Sequence, residues 1–270
     1  MNYLFGLRLN KMDTKPGNPI EYYWQVNNEQ MQVNELLDKS ISLSFSGNLY
    51  CIKCGKKTSK LYQQGYCYSC FTTAPETEEC VFRPELCKAH EGIARDMEYA
   101  RQHCLIDHFV YLAATDQIKV GVTRSTQIPT RWIDQGASSA IIIAKTPNRY
   151  LAGEIEVALK NFFPDKTNWR AMLTNSVLAH PDYEEALRKI PILLPDILHQ
   201  YLLGNQSIEM LYYPVIAYPN KVTNIDLLKT PEVSGIIKGI KGQYLIFDDG
   251  KVLNIRRHSG FEVDINIISR

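Results

Sequence analysis

HFVYLAATDQIKVGVTRSTQIPTRWIDQGASSAIIIAKTPNRYLAGEIEVALKNFFPDKTNWR, residues His108 to Arg170, is the stretch that sets the architecture. It predicts a strand, a short turn, a second strand, a loop carrying Arg131, a third strand and a helix. His108–Ala113 is apolar and aromatic, Asp116 and Gln117 supply the turn, and Ile118–Thr123 returns. Gly121 lies inside the second strand, where a glycine marks a place that something must approach closely. Ala140–Ala144 is a continuous apolar run, as expected of a strand covered on both faces. The helix is expected from about Tyr150 to Phe163, ended by Pro164. Leu151, Ile155, Leu159 and Phe162 make its buried stripe at helical spacing. Glu156 falls at one margin of that stripe and Glu154 at the other.

This order resembles the GIY-YIG nuclease superfamily over about a quarter of the chain. Phe109-Val110-Tyr111 stands where GIY would be, and Lys119-Val120-Gly121 stands where YIG would be. Arg131 matches the superfamily arginine, Glu156 the helix glutamate, and Asn168 a position where many members carry asparagine. Lys119 replaces the second tyrosine, and the gap between the strands is short. The resemblance implies a metal-dependent phosphodiesterase. Tyr111, or a water it orients, would help generate the attacking oxygen. A magnesium or manganese ion on Glu156 would polarise the phosphate. Arg131 and Lys119 would neutralise developing charge. The blocks GNLYCIKCGKK, QQGYCYSCF, RPELC, KVGVTR, IPTRWIDQGA, DKTNWRAML and GIKGQYLIF resemble, over nearly the whole chain, an uncharacterised bacterial family described as a domain of unknown function. That likeness supplies architecture and no activity.

The 270 residues allow one large domain or two to three small ones. Hydrophobic content of 45% and charged content of 22% are those of an ordinary globular protein. A net charge of +1 demands no polyanionic partner, so nucleic-acid binding would need a local basic patch. No apolar run approaches the length of a membrane span, and MNYLFGLRLNK has neither the basic start nor the long apolar core of a signal peptide. A cytoplasmic location is expected.

Seven cysteines, an odd number, crowd between 51 and 104. In an untargeted chain that favours metal over disulfides. Cys51-x2-Cys54-x12-Cys67-x2-Cys70 offers four thiolates on two tight knuckles, the spacing of a closed, structural zinc site. Lys53, Lys56, Lys57 and Lys60 are interleaved with Tyr62, Tyr66, Tyr68 and Phe71. Such a ribbon suits a phosphate backbone, with Lys56 and Lys57 as contacts, or it is a coreless module packing its own rings. A second zinc is expected on Cys80, Cys87, His90 and Cys104, beside a helix at about Gly92–Gln102. His103 could stand in for Cys104, and the alternative is that Cys80 and Cys104 are small buried residues and the histidines are surface groups. Lys119, Arg124 and Arg131 lie in an acid-free window, Gln117–Ile133, that suits a nucleic-acid backbone.

The expected class is α+β: a zinc ribbon, a GIY-YIG-like core and a small C-terminal β module. Residues 1–47 read as a β segment, 48–107 as the zinc-binding module and 108–175 as the core. Residues 176–228 read as a helical connection and 229–270 as the β module. In the last, Asp249-Gly250 turns a hairpin, and about four strands form a barrel-like or sandwich unit. The N-terminal strands need a partner sheet, either the C-terminal strands or the ribbon. Three functions fit: a metal-dependent nuclease on DNA or RNA, a non-catalytic zinc-containing nucleic-acid-binding protein, and a protein-binding assembly factor marked by an apolar patch.

Overall fold

A computed structural model describes residues 3–26, 29–164, 166–204 and 206–268. The chain divides into two compact units. One gathers Met1–Thr72, Leu173–Asn175 and Tyr212–Arg270; the other gathers Thr73–Met172 and Ser176–Leu211. Residues 48–107, expected as one zinc-binding module, divide between the two units at Thr72, and Leu173–Asn175 of the expected core falls in the first unit. Residues 176–228, expected as a connection, divide between the two units.

The first unit is built on an eight-stranded sheet among the described residues. Its strands run in the order Tyr3–Arg8, Phe261–Ile268, Ser40–Tyr50, Glu232–Lys241, Tyr244–Phe247, Lys251–Asn254 and Thr223–Asn224, with Lys57–Thr58 paired to Ser40–Tyr50. The N-terminal strand thus pairs with the C-terminal one, as its need for a partner required. Strict alternation in Phe261–Ile268 buries every second residue. Ile265 faces Leu43 and Ile267 faces Ile41 across the ladder, and all four are buried. The expected self-contained C-terminal module is corrected here. Ser40–Tyr50 lies between Glu232–Lys241 and Phe261–Ile268 and pairs with both. It is the long strand with the right alternation to do so. A separate small sheet holds Asp13–Lys15, Glu21–Val26 and Glu29–Gln32.

The second unit holds a four-stranded antiparallel sheet in the order Glu209–Met210, Ser139–Thr146, His108–Ala114 and Ile118–Arg124. Period-two alternation gives it two faces. On one, Val110, Leu112, Val120, Ile141 and Ile143 pack with Ala152, Ile155 and Leu159 of the helix Arg149–Leu159. The helix Tyr183–Leu193 completes this core through Tyr183, Ala186 and Ile190. On the other face, Tyr111, Ala113 and Ala140 pack with Trp132 and Ala137. The loop expected around Arg131 contains a short helix, Thr130–Asp134. The helix expected at Gly92–Gln102 is shorter and later, Met97–His103, because Asp96 accepts from Tyr99 N and caps it there. Phe162 is corrected as well: it is 60% exposed, and Phe163 is buried instead. The helix stops at Leu159, and Phe162 N and Phe163 N both donate to the Leu159 carbonyl. Helical phase does not extend past that turn.

Candidate functional site

Cys51, Cys54, Cys67 and Cys70 bring four thiol sulfurs within 4.8 Å of one another. The first knuckle closes when Gly55 N donates to the Cys51 carbonyl, with Gly55 at φ +70°. Cys54 Sγ and Cys67 Sγ stand 3.9 Å apart. A tetrahedral ion with ~2.3 Å metal–sulfur bonds needs ~3.8 Å between sulfurs. The donor set fits zinc, and four thiolates leave no open position. Burial pushes the Cys51 thiol up, but bonds from the backbone of Cys54, Cys67 and Lys53 outweigh it and bring it down to about 6. Three of the ribbon's four interleaved rings pack on one another. Tyr62 stacks on Phe71 at 5.5 Å and meets Tyr68 edge-on at 5.5 Å. Lys60 covers Tyr62 at 4.9 Å. Lys56 and Lys57 are exposed beside the cluster.

Cys80, Cys87 and Cys104 form a second set of sulfurs within 4.8 Å of one another, all buried. This set also fits a zinc ion. His90 is not part of it, which corrects the expected ligand set. The ring of His90 stacks on Tyr150 at 4.5 Å, and its Nε2 stands 3.7 Å from the Glu91 carboxylate.

Tyr111 lies on the face of the second sheet that carries Trp132, with Arg131 on the short helix Thr130–Asp134 beside it, whereas Glu156 belongs to the helix Arg149–Leu159, which packs through Ala152, Ile155 and Leu159 on the other face. Tyr111 is fully buried and pairs across the ladder with Gly121. Its hydroxyl donates to Gln135 Oε1 at 2.9 Å. Burial raises the phenol, and the charge of Glu156 raises it further; Arg131 and Gln135 pull it back. Burial opposes the charge on Arg131, but Tyr111, Asp134 and Glu156 more than restore it. Glu156 is half-buried on the helix Arg149–Leu159. Glu156 and Arg131 thus act on the Tyr111 phenol in opposite directions. The Nε of Arg131 is buried and has no hydrogen-bond partner.

The other predicted residues are placed differently. Lys119 shares the Gly121 face by alternation but is buried, and its amine donates to Thr167 Oγ1. Arg124 falls on the opposite face, half-buried, where burial lowers its pKa and Tyr99 acts against that shift. It is not gathered with Arg131. Asn168 uses its Oδ1 to accept from Arg170 N and Ala171 N. Gln135 escaped the sequence reading. It sits four residues after Arg131, one helical turn on, and that spacing was the available signal. Arg149, which donates from Nη1 to Cys80 Sγ at 3.5 Å, had no sequence signal. Among the described residues, no helix is long and apolar enough to cross a membrane.

Residues 38–263 match a protein family described as "Protein of unknown function (DUF2797)". Comparisons with curated proteins and with solved structures return no match.

Proposed function

Because the chain belongs to the DUF2797 family, whose description assigns no activity, we propose its function from side-chain geometry: metal-dependent hydrolysis of a nucleic-acid phosphodiester at Tyr111, Arg131 and Glu156. The observation that carries this reading is the Arg131 guanidinium, which keeps a buried Nε–H without an acceptor beside Tyr111. A buried charged donor left unpaired is costly, and such a group calls for a partner. A phosphate oxygen is the natural one, since guanidinium matches its geometry.

The strand pair His108–Ala114 and Ile118–Arg124, followed by Arg131 and then Glu156 on a helix, has the order of a GIY-YIG core. In this chain Tyr111 keeps its proton at neutral pH, because burial raises it. It serves as a hydrogen-bonding group, between Gln135 and Arg131, that orients the guanidinium. Arg131 then neutralises charge on the phosphate as water adds to phosphorus and the bond to the leaving oxygen breaks. Glu156, a half-buried carboxylate, suits magnesium or manganese, which need few protein ligands. When bound, such an ion supplies Lewis-acid polarisation of the phosphate. The thiolate clusters are separate and structural in this reading.

A second reading, non-catalytic binding of DNA or RNA, is favoured by the burial of Lys119 and Tyr111 and by the exposed Lys53, Lys56, Lys57 and Lys60 of the ribbon. Purified protein incubated with labelled DNA and RNA, with magnesium or manganese, separates the two. The nuclease reading expects products that Glu156→Gln abolishes while binding survives, and weaker binding in Arg131→Ala. Binding without products from any substrate selects the second reading. Neither binding nor products overturns both.

A further inference from the structure

Cys80, Cys87 and Cys104 come from three different pieces of chain. Cys80 lies in the turn Glu79–Val81, Cys87 closes the turn Pro84–Leu86, and Cys104 caps the helix Met97–His103. Their sulfurs nevertheless meet within 4.8 Å, as free cysteines. Three ligands of one tetrahedral ion stand ~3.8 Å apart, so this spacing is that of a single ion. Soft thiolates in that geometry select zinc over magnesium or calcium.

The fourth corner is the informative one. Among the described residues, no histidine, aspartate or glutamate joins the three sulfurs. His90, at the right spacing after Cys87, is engaged with Tyr150 and Glu91 instead. The group that comes to the cluster is Arg149. Its Nη1 donates to Cys80 Sγ at 3.5 Å, its Nη2 to the His103 carbonyl at 3.1 Å, and its backbone N to the Cys104 carbonyl at 2.8 Å. A guanidinium cannot ligate a metal. It can cancel charge: three thiolates on a dication leave one negative charge, and Arg149 supplies one positive charge. A fourth protein thiolate would leave a charge that this single arginine does not balance.

We infer that Cys80, Cys87 and Cys104 form a three-thiolate zinc centre whose fourth position is taken by solvent and is open to a small monodentate ligand, with Arg149 as its outer cation. Three protein ligands plus an exchangeable position distinguish such a centre from the closed four-cysteine ribbon. Outer partners of this kind set ligand basicity and metal affinity. The inference holds whether or not the protein cleaves nucleic acid.

The test uses the full chain. Holoprotein should carry two zinc ions per chain, and Cys54→Ser with Cys70→Ser should carry one. In that variant, loaded with cobalt(II), His90→Ala should leave stoichiometry and the visible spectrum unchanged. Imidazole should shift the ligand-field bands. Arg149→Met should lower cobalt affinity by about 10-fold or more. If the ribbon variant fails to fold, the imidazole titration is run on the cobalt-loaded wild type, whose closed ribbon site contributes no shift. Loss of metal in His90→Ala would make His90 the fourth ligand and overturn the inference. So would bands that ignore imidazole, or a wild-type chain that binds one ion only.

Discussion

Tyr111 Oη occupies the space above Gly121: a Cβ built on Gly121 would stand 2.6 Å from that oxygen and 2.7 Å from Cζ. The two residues are partners across the antiparallel ladder, so the phenol lies along its neighbour's backbone toward Gln135. Gly121 is therefore what lets Tyr111 reach the Arg131 side of the sheet. Gly121→Ala should displace the ring and cost about 1–3 kcal/mol by overpacking. Urea denaturation of the variant reads the loss. Gly204→Ala is the control, because nothing lies within 4 Å of its would-be Cβ. Equal midpoints for Gly121→Ala and wild type would refute the relationship.

That contact also shows what the sequence could and could not convey. A glycine within KVGVT signalled close approach, and the order of strands and helix was readable from the apolar pattern, whereas Arg131 and Glu156 were singled out through the GIY-YIG resemblance. The four-cysteine ribbon was readable because its ligands sit in two local CxxC pairs. The second cluster was half readable. Its cysteines were visible, but the engagement of His90 with Tyr150 and the arrival of Arg149, at the start of a helix forty-five residues after Cys104, have no local signature. The eight-stranded sheet was the least legible part. Pairing of Tyr3–Arg8 with Phe261–Ile268 joins opposite ends of the chain, and no local periodicity encodes a partner at that separation.

His108 gives a pH prediction. It is 1% exposed, and burial lowers its pKa to about 4. Its Nδ1 faces the Ile106 carbonyl at 2.8 Å, so Nδ1 carries the proton of the neutral ring. The unfolded imidazole titrates near ~6.5. As pH falls, the unfolded chain takes the proton first. The contribution of His108 is complete above that value, declines toward pH 4, and is lost below it. The full loss is on the order of 3 kcal/mol. His108→Asn, which keeps a donor near Nδ1, should flatten the stability profile in that window. Parallel profiles for variant and wild type between pH 4 and 7 would contradict this.

Lys241 predicts a gain. Its side chain is 2% exposed, with Nζ 5.3 Å from the Tyr213 ring and 5.2 Å from the Tyr218 ring. Burial lowers its pKa to about 8. Below that pH the amine is charged in both states, and its desolvation cost is constant and complete. Between pH 8 and the unfolded value of ~10.4 the unfolded chain holds more protons, so stability rises with pH. Lys241→Met removes the cost and keeps the volume. The ring contacts it gives up offset part of the benefit, ~0.5–2 kcal/mol. A net gain of about 1–2 kcal/mol is expected at pH 7, shrinking toward pH 10. Denaturation midpoints at the two pH values measure it, and a destabilised variant at pH 7 would show that the ammonium is favourably bound.

The ribbon predicts a local effect of metal loss. Around its four sulfurs the backbone bonds are mostly local, as from Cys51 N to the Lys56 carbonyl and from Ile52 N to the Gly65 carbonyl, with the short pairing of Lys57–Thr58 to Leu49 and Tyr50 and the bond from Tyr50 N to the Gly260 carbonyl at its base. No large apolar side chain is fully buried between Ile52 and Phe71. A closed four-thiolate zinc would therefore supply most of the folding free energy of this segment. The sheet strands of the same unit rest on their own buried residues, among them Leu43, Val263 and Ile265. Cys70→Ser should lower bound zinc by one ion per chain. Trypsin should then cut after Lys53, Lys56, Lys57 and Lys60, all exposed, much faster than in the holoprotein, while the remaining strands resist. Global digestion at the wild-type pace, or uniform loss of resistance along the whole chain, would mean that the metal does not act locally on this ribbon.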